Sequence, residues 1–184
     1  MKFAKSVFEW ILIIVIAFIL SLVIRHFFID TRIVPTGSML PTIQLNDRLI
    51  VDRFFYKFKP IERGDIVVFK APDNSMEDKD LVKRVIGLPG ETVEIKNGKV
   101  YINDRPLNEP YVEYQANYEY GPEKVPEGTY FMLGDFRSES KDSHIWGFLP
   151  EEKIIGKVWI RYWPLENIGK LKKPPQNYFE MEGE

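Results

Sequence analysis

Residues 92–103 read TVEIKNGKVYIN, and this stretch decides the fold class. Two runs that alternate apolar and polar residues flank Asn97-Gly98, a pair that is typical of a β-hairpin with a type I′ turn. No alternation of helix and strand patterns surrounds it, which argues against a doubly wound parallel sheet. The sequence therefore predicts a mainly β protein with an antiparallel, partly barrel-like body. Further strands are expected at Arg48–Arg53, Asp65–Lys70, Leu81–Leu88, Tyr130–Leu133 and Ile154–Trp163.

Composition narrows the chemistry that this body can perform. The 184 residues include 25 Lys and Arg against 27 Asp and Glu, a formal charge of −2 that argues against a general nucleic-acid binder. The absence of Cys excludes disulfides, thiolate metal sites and cysteine nucleophiles. The chain has two histidines, His26 and His144, which excludes a metal site built from several imidazoles.

An apolar segment precedes the β region. Residues 8–28 read FEWILIIVIAFILSLVIRHFF and, as a helix, would span about 31 Å, close to the thickness of a bilayer's hydrocarbon core. A buried core helix and a cleaved signal peptide are the alternatives, but the apolar residues surround the helix and no small-x-small cleavage site follows. We interpret the segment as an uncleaved membrane anchor.

The anchor divides the chain into four predicted parts. These are a short cytoplasmic segment at 1–6, a transmembrane anchor at 7–28, an extracytoplasmic β domain at 29–170 and a C-terminal tail at 171–184. Lys2 and Lys5 favour a cytoplasmic N-terminus, whereas Arg25 and Arg32 oppose it, so local charge predicts the orientation only weakly.

A candidate nucleophile lies shortly after the anchor. Residues 34–42 read VPTGSMLPT, in which prolines limit backbone freedom and Gly37 allows close approach of another chain. Such a loop could present the Ser38 hydroxyl to a substrate, or it could simply be a turn.

A serine nucleophile needs a base, and the residues leave two candidates. His144, in Asp142-Ser143-His144, could complete a Ser-His-Asp system. Lys83 lies among apolar residues of a predicted strand, where desolvation could lower its pKa enough for a neutral amine. Alternation places Lys83 and Arg84 on opposite faces of that strand, and the pattern does not say which face is buried.

Four segments together carry a family resemblance. They are PTGSMLPT at 35–42, GDIVVF at 64–69, KRVIGLPGE at 83–91 and GDFRSESKDSHIWGFLP at 134–150. In this order, and after a membrane anchor, they resemble the boxes of type I signal peptidases. The resemblance implies the all-β signal-peptidase fold and a membrane-bound serine endopeptidase. It would remove signal peptides from exported preproteins at small-x-small sites.

The resemblance also implies roles for individual residues. Ser38 is similar to the nucleophile and Lys83 to the general base of a Ser-Lys dyad that works through an acyl-enzyme. The Ser38 N–H and the Thr36 hydroxyl match the oxyanion donors. Ser140 matches the hydroxyl that orients the lysine amine, and Asp142 matches a structural carboxylate. The residues that match pockets for small substrate side chains are Val34, Met39, Ile43, Leu81 and Val82.

Two positions depart from the family's usual pattern. Phe136 stands where Asn is common, and His144 stands where Arg is common. An Asp142–His144 pair would then replace an Asp–Arg pair, and His144 becomes a support residue rather than the base.

The expected mechanism uses neither a metal nor an organic cofactor. The expected partners are signal peptides of preproteins and the lipid bilayer, with no nucleic acid. Residues 53–59, RFFYKFK, could stack on single-stranded nucleic acid, pack in the core or enter the membrane interface, and the anchor favours the interface over nucleic acid. The alternative functions are a self-cleaving Ser-Lys protease and a non-catalytic anchored β domain.

Overall fold

A computed structural model describes residues 2–72 and 79–171. Helix α1 runs from Lys2 to Phe27. Within these described ranges it is the one helix that is long and apolar enough to cross a membrane. Its window Ser6–Val23 has a mean hydropathy of 2.7 and is not buried against the rest of the protein. The predicted N-terminal apolar helix is therefore present.

The hairpin that decided the fold class is confirmed. Strand β5 spans Thr92–Lys96 and β6 spans Lys99–Ile102, paired antiparallel. Asn97 and Gly98 have φ values of 51° and 77°, and a type I′ turn requires positive φ at both central residues.

In the described part of the chain, the β body consists of two antiparallel sheets. Their remaining strands are β1 (Ile29–Ile33), β2 (Arg48–Asp52), β3 (Ile66–Lys70), β4 (Asp80–Gly87), β7 (Arg105–Pro106), β8 (Tyr120–Lys124), β9 (Thr129–Leu133), β10 (Leu149–Pro150) and β11 (Ile154–Trp163). The larger sheet has the strand order β1-β2-β11-β3-β4-β9-β10, and the smaller has β7-β6-β5-β8.

Strand β4 is covered on both faces, which the sequence pattern left open. On one face Val85 joins a cluster with Val67 and Met132, and on the other Ile86 joins a cluster with Val93 and Phe131. Every residue from Lys83 to Gly87 is consequently buried.

One edge of β4 is paired along only part of its length. On one side β3 pairs with β4 from Asp80 to Arg84. On the other side β9 begins its pairing at Arg84, opposite Leu133. Within the described ranges, the β9 side of residues 80–83 has no strand partner, and this free edge faces the site described below.

The predicted strands agree with the structure to within one residue at each end. The described residues also form four strands and one short α-helix that were not predicted. Strand β1 follows α1 after a single residue, and its polar sequence IDTRI lacks an apolar alternation. Strands β7 and β10 have two residues each, and β8 reads YGPEK, a composition that does not favour strands. Helix α2 spans Ser143–Trp146.

The aromatic segment after β2 forms a 3₁₀ turn at Phe55–Phe58. Phe55 is 60% exposed and Phe58 73% exposed, which contradicts packing of these rings in the core. The rings of Phe28 and Phe54 lie 4.8 Å apart, so the exposed aromatics adjoin the end of α1. The predicted tail at 171–184 lies, apart from its first residue, outside the described residues.

Candidate active site

A groove of about 1280 Å³ lies between the loop after β1 and the free edge of β4. Ser38 lies on one wall and Lys83 on the other. The sequence separates these two residues widely, and the fold brings the loop that carries Ser38 and the strand that carries Lys83 to one groove. Ser38 is half-buried, so its side chain is reachable from the groove.

Lys83 is only 3% exposed. Its Nζ atom donates a hydrogen bond to Ser140 Oγ over 2.9 Å. Burial lowers the pKa of Lys83 from 10.5 to about 8, although the negative charges of Asp142 and Asp135 act in the opposite direction. A much larger fraction of this amine is therefore neutral near pH 8 than for an exposed lysine. Among the described residues, Nζ makes no hydrogen bond with Ser38.

The segment that carries Ser140 is tied down by Asp142. The Asp142 carboxylate accepts a hydrogen bond from the Gly134 N–H over 2.9 Å and caps helix α2 at the His144 N–H. Its Oδ1 atom also lies 2.7 Å from His144 Nδ1, so the predicted Asp142–His144 contact is present. The imidazole in turn stacks on the Tyr118 ring at 3.7 Å.

Gly134 joins this segment to the candidate nucleophile. A Cβ atom at position 134 would lie 2.3 Å from Ser140 Oγ and 2.4 Å from the Ser38 carbonyl oxygen. Only glycine permits such an approach, because any side chain would push the two apart. The Phe136 N–H also donates to the Ser38 carbonyl over 3.1 Å. Sequence reasoning did not single out Gly134 and missed this contact.

A buried ion pair supports the site from behind. Arg84 is fully buried, and its guanidinium donates to both carboxylate oxygens of Asp135 over 2.8 and 2.6 Å. Asp135 also accepts from the Thr42 hydroxyl over 2.5 Å, which connects the end of the Ser38 loop to the segment after β9. In the sequence, this pair was indicated by the alternation of β4, which placed the cation of Arg84 on the opposite face from Lys83.

The comparison with protein families agrees with this geometry. The family model described as "Signal peptidase, peptidase S26" matches residues 7–163. The chain belongs to this family. It is accordingly a serine endopeptidase of the signal peptidase class, a family in which a Ser-Lys mechanism is general.

Relatives extend the match over most of the chain. Signal peptidase I of Leptolyngbya laminosa is 45% identical, over 95% of this chain and 88% of the relative. Signal peptidase IB of Staphylococcus aureus is 35% identical, over 94% of this chain and 97% of the relative. The chain is also similar to a crystal structure of a signal peptidase I from Enterococcus faecalis, with 33% sequence identity and a TM-score of 0.48. The similar region covers 54% of this chain and 97% of the Enterococcus chain.

The residues that matched substrate pockets of signal peptidases fall into two groups. Val34, Met39, Leu81 and Val82 line the groove, as does Thr36, which is exposed. Ile43 is fully buried in the cluster that contains Val34 and Met39, behind the groove lining.

The two departures from the signal peptidase pattern have different surroundings. His144 keeps a contact with Asp142, as described above. Phe136 lines the groove and stacks on Tyr114 with 4.2 Å between ring centroids. For His144 the structure supplies a polar partner, and for Phe136 it supplies an aromatic one.

Proposed function

We propose that this chain is a membrane-bound signal peptidase in which Ser38 attacks the scissile carbonyl and neutral Lys83 is the general base. The observation that carries the proposal is the burial of Lys83, hydrogen-bonded to Ser140, in the groove that also contains Ser38. Of the alternatives raised by the sequence, a His144 base is disfavoured because that imidazole contacts Asp142 and Tyr118 and does not line the groove.

The proposed reaction has two stages. Lys83 accepts the Ser38 proton as Ser38 Oγ bonds to the carbonyl carbon, and the resulting ammonium then protonates the leaving amine. The remaining acyl-enzyme is hydrolysed by water that neutral Lys83 activates. The Ser140 hydroxyl holds the amine, and Asp142 holds the Ser140 segment through Gly134.

The developing oxyanion needs donors on the Ser38 wall. The Ser38 N–H and the Thr36 hydroxyl are our candidates, because both belong to the short loop that borders the groove. Loss of one such donor typically costs about 2.7–4 kcal/mol in the transition state.

The substrate fits the free edge of β4. On the β9 side, residues 80–83 pair with no other described strand, so an extended peptide can add there as a strand. Its side chains would meet Val34, Leu81 and Val82, which all line the groove. Val82 packs with Val34 and Leu81 packs against a separate cluster, so this apolar lining suits the small apolar side chains of a small-x-small site.

The proposed anchor would hold the groove near the bilayer surface. Helix α1 ends at Phe27, so about ten residues separate the membrane from Ser38. The exposed aromatic rings of the turn at Phe55–Phe58, beside Phe28, suit contact with the membrane interface. We propose a single-pass protein with residues 1–6 in the cytoplasm and residues 29–170 outside it, where translocated preproteins are cut.

Cleavage of a synthetic preprotein with an Ala-x-Ala site, by the full chain in detergent, tests the catalytic assignment. Ser38→Ala and Lys83→Met should each abolish cleavage. Lys83→Arg should fail as well, because a guanidinium does not become neutral at these pH values. Circular dichroism should report an intact β body in each variant. Near-normal turnover by Ser38→Ala would refute the serine mechanism.

Protease added to intact, wall-stripped cells tests the orientation. We expect digestion of the chain beyond about residue 31 and survival of the first few residues. Protection of the whole β body would show that the orientation is reversed.

A further inference from the structure

The Phe136 ring occupies the point at which a bound peptide must leave the sheet. A strand added to β4 can follow the free edge from residue 80 to Lys83. It cannot continue, because from Arg84 onward that edge is taken by β9. The chain that leaves β9 passes through Gly134 and presents Phe136 to the groove. A peptide that extends past Lys83 is therefore diverted across Phe136.

The backbone of Phe136 adjoins the candidate nucleophile. The Phe136 N–H donates to the Ser38 carbonyl over 3.1 Å, so the two residues are joined directly through their backbones. The opposite part of the groove, at Leu81 and Val82, matches the pockets for the signal-peptide side of the substrate. Phe136 consequently faces the residues on the other side of the bond, which become the N-terminus of the mature protein.

The ring is held in place before substrate binds. It stacks on Tyr114 with 4.2 Å between centroids and 28° between planes. The next residue, Arg137, is fully buried, and its guanidinium donates to both carboxylate oxygens of Glu109 over 2.7 and 2.6 Å. The Arg137 N–H donates to the Tyr114 carbonyl over 3.2 Å, which fixes the two aromatic residues relative to each other.

The surroundings define the chemistry of this surface. Ile145, which is exposed, also lines the groove, while Glu139 and Lys141 contribute polar groups to its lining. A prearranged aromatic face beside an aliphatic side chain favours apolar and aromatic ligands, because little conformational entropy is lost when they bind.

We propose that Phe136, backed by Tyr114, forms a subsite for an apolar or aromatic side chain among the first two residues after the cleaved bond. Phe136 is thus a specificity-determining residue for the mature side of the substrate. This inference rests on the proposed function, since it requires that Ser38 cut a peptide held against β4.

A peptide series tests the subsite with the full chain in detergent. All peptides share one signal side with an Ala-x-Ala site, and the reference has Ala-Ala after the bond. Phe or Leu replaces each of these two alanines in turn. We expect kcat/KM for the best aromatic peptide to exceed the reference about threefold to tenfold, the scale of a single aromatic contact.

Variants of the ring assign the preference. The quantity to compare is the ratio of kcat/KM for the best aromatic peptide to kcat/KM for the reference peptide. Phe136→Asn should lower this ratio to less than about two, Phe136→Tyr should keep it, and Phe136→Leu should give an intermediate value. Phe58→Asn is the matched control, because it removes an exposed aromatic ring that does not line the groove, and it should leave the ratio as in the wild type.

The outcomes separate the two proposals. If the wild type cleaves none of the peptides, the proposed function fails. If it cleaves the reference without any preference, or if Phe136→Asn keeps the preference, the subsite is refuted. Should Phe136→Asn lose its circular dichroism spectrum, the Leu and Tyr variants decide the question.

Discussion

Replacing Lys83 by Met should stabilise this protein at neutral pH while destroying its proposed activity. Lys83 is buried, and its pKa of about 8 lies well below the ordinary value of 10.5 because burial disfavours the ammonium. At about 1.4 kcal/mol for each pH unit, the difference corresponds to about 3 kcal/mol. Met has a similar length and carries no charge, so it removes this cost. Loss of the hydrogen bond to Ser140 subtracts about 1 kcal/mol.

The sign of the pH dependence follows from the two pKa values. Below about pH 8 the lysine is protonated in both states, and the folded state bears the full cost of burying the ammonium. As the pH rises from about 8 to 10.5, the folded state holds a neutral amine while the unfolded state still binds the proton, so the cost disappears. We expect Lys83→Met to be more stable by about 2 kcal/mol at pH 7, and the advantage to vanish near pH 10.

Chemical unfolding followed by tryptophan fluorescence, on the full chain in one detergent, measures this difference at several pH values. Titrating groups that do not interact with Lys83 contribute equally to both proteins and cancel. Lys96→Met is a suitable control, because Lys96 is exposed and its pKa is raised by the hydrogen bond to Glu94. The difference in unfolding free energy between Lys96→Met and the wild type should stay constant between pH 7 and 9. A Lys83→Met variant that is less stable than the wild type at pH 7, or a difference that does not change with pH, would refute the reasoning.

Two further predictions concern catalysis. Because the neutral amine of Lys83 is the active form, kcat/KM should fall about tenfold for each pH unit below an apparent pKa near 8. If chemistry is rate-limiting and kcat/KM is nevertheless constant from about pH 5 to 9, Lys83 is not the base. His144→Arg should keep activity, because a guanidinium can also bind the Asp142 carboxylate, whereas His144→Ala should lower it roughly tenfold, the scale seen for support residues at metal sites. If His144→Arg is as inactive as Ser38→Ala while the fold survives, His144 is the base and the Ser-Lys mechanism is wrong.

Short-range sequence patterns were enough to predict much of the fold. The Asn97-Gly98 turn and its two strands depend on backbone preferences and alternation, which neighbouring residues encode. The apolar run that forms α1 is likewise visible because its length and composition are local properties. Strands β7 and β10 escaped prediction because two-residue pairings depend on the partner strand rather than on their own composition.

The candidate site was also predictable only in part from the sequence. The residue types at Ser38, Lys83 and Ser140, in boxes of a recognised order, were sufficient to propose a dyad and its orienting hydroxyl. The sequence did not show that Lys83 is buried, because burial depends on the remote strands that cover both faces of β4. Without that burial the pKa of the amine would stay near 10.5, and far less of it would be neutral and able to accept a proton near pH 8.

The contacts around the groove belong to the tertiary structure alone. Gly134 allows the segment with Ser140 to touch the Ser38 loop, and Phe136 acquires its aromatic partner Tyr114 from a stretch without regular secondary structure. Each contact joins residues that are distant in sequence, so no local periodicity encodes it. The sequence by itself determined the β class, the apolar N-terminal helix and the identity of the reactive groups. Only the folded chain decided their protonation, their spacing and what lies beside the bond to be cut, because desolvation and long-range packing arise when separate strands close over one another.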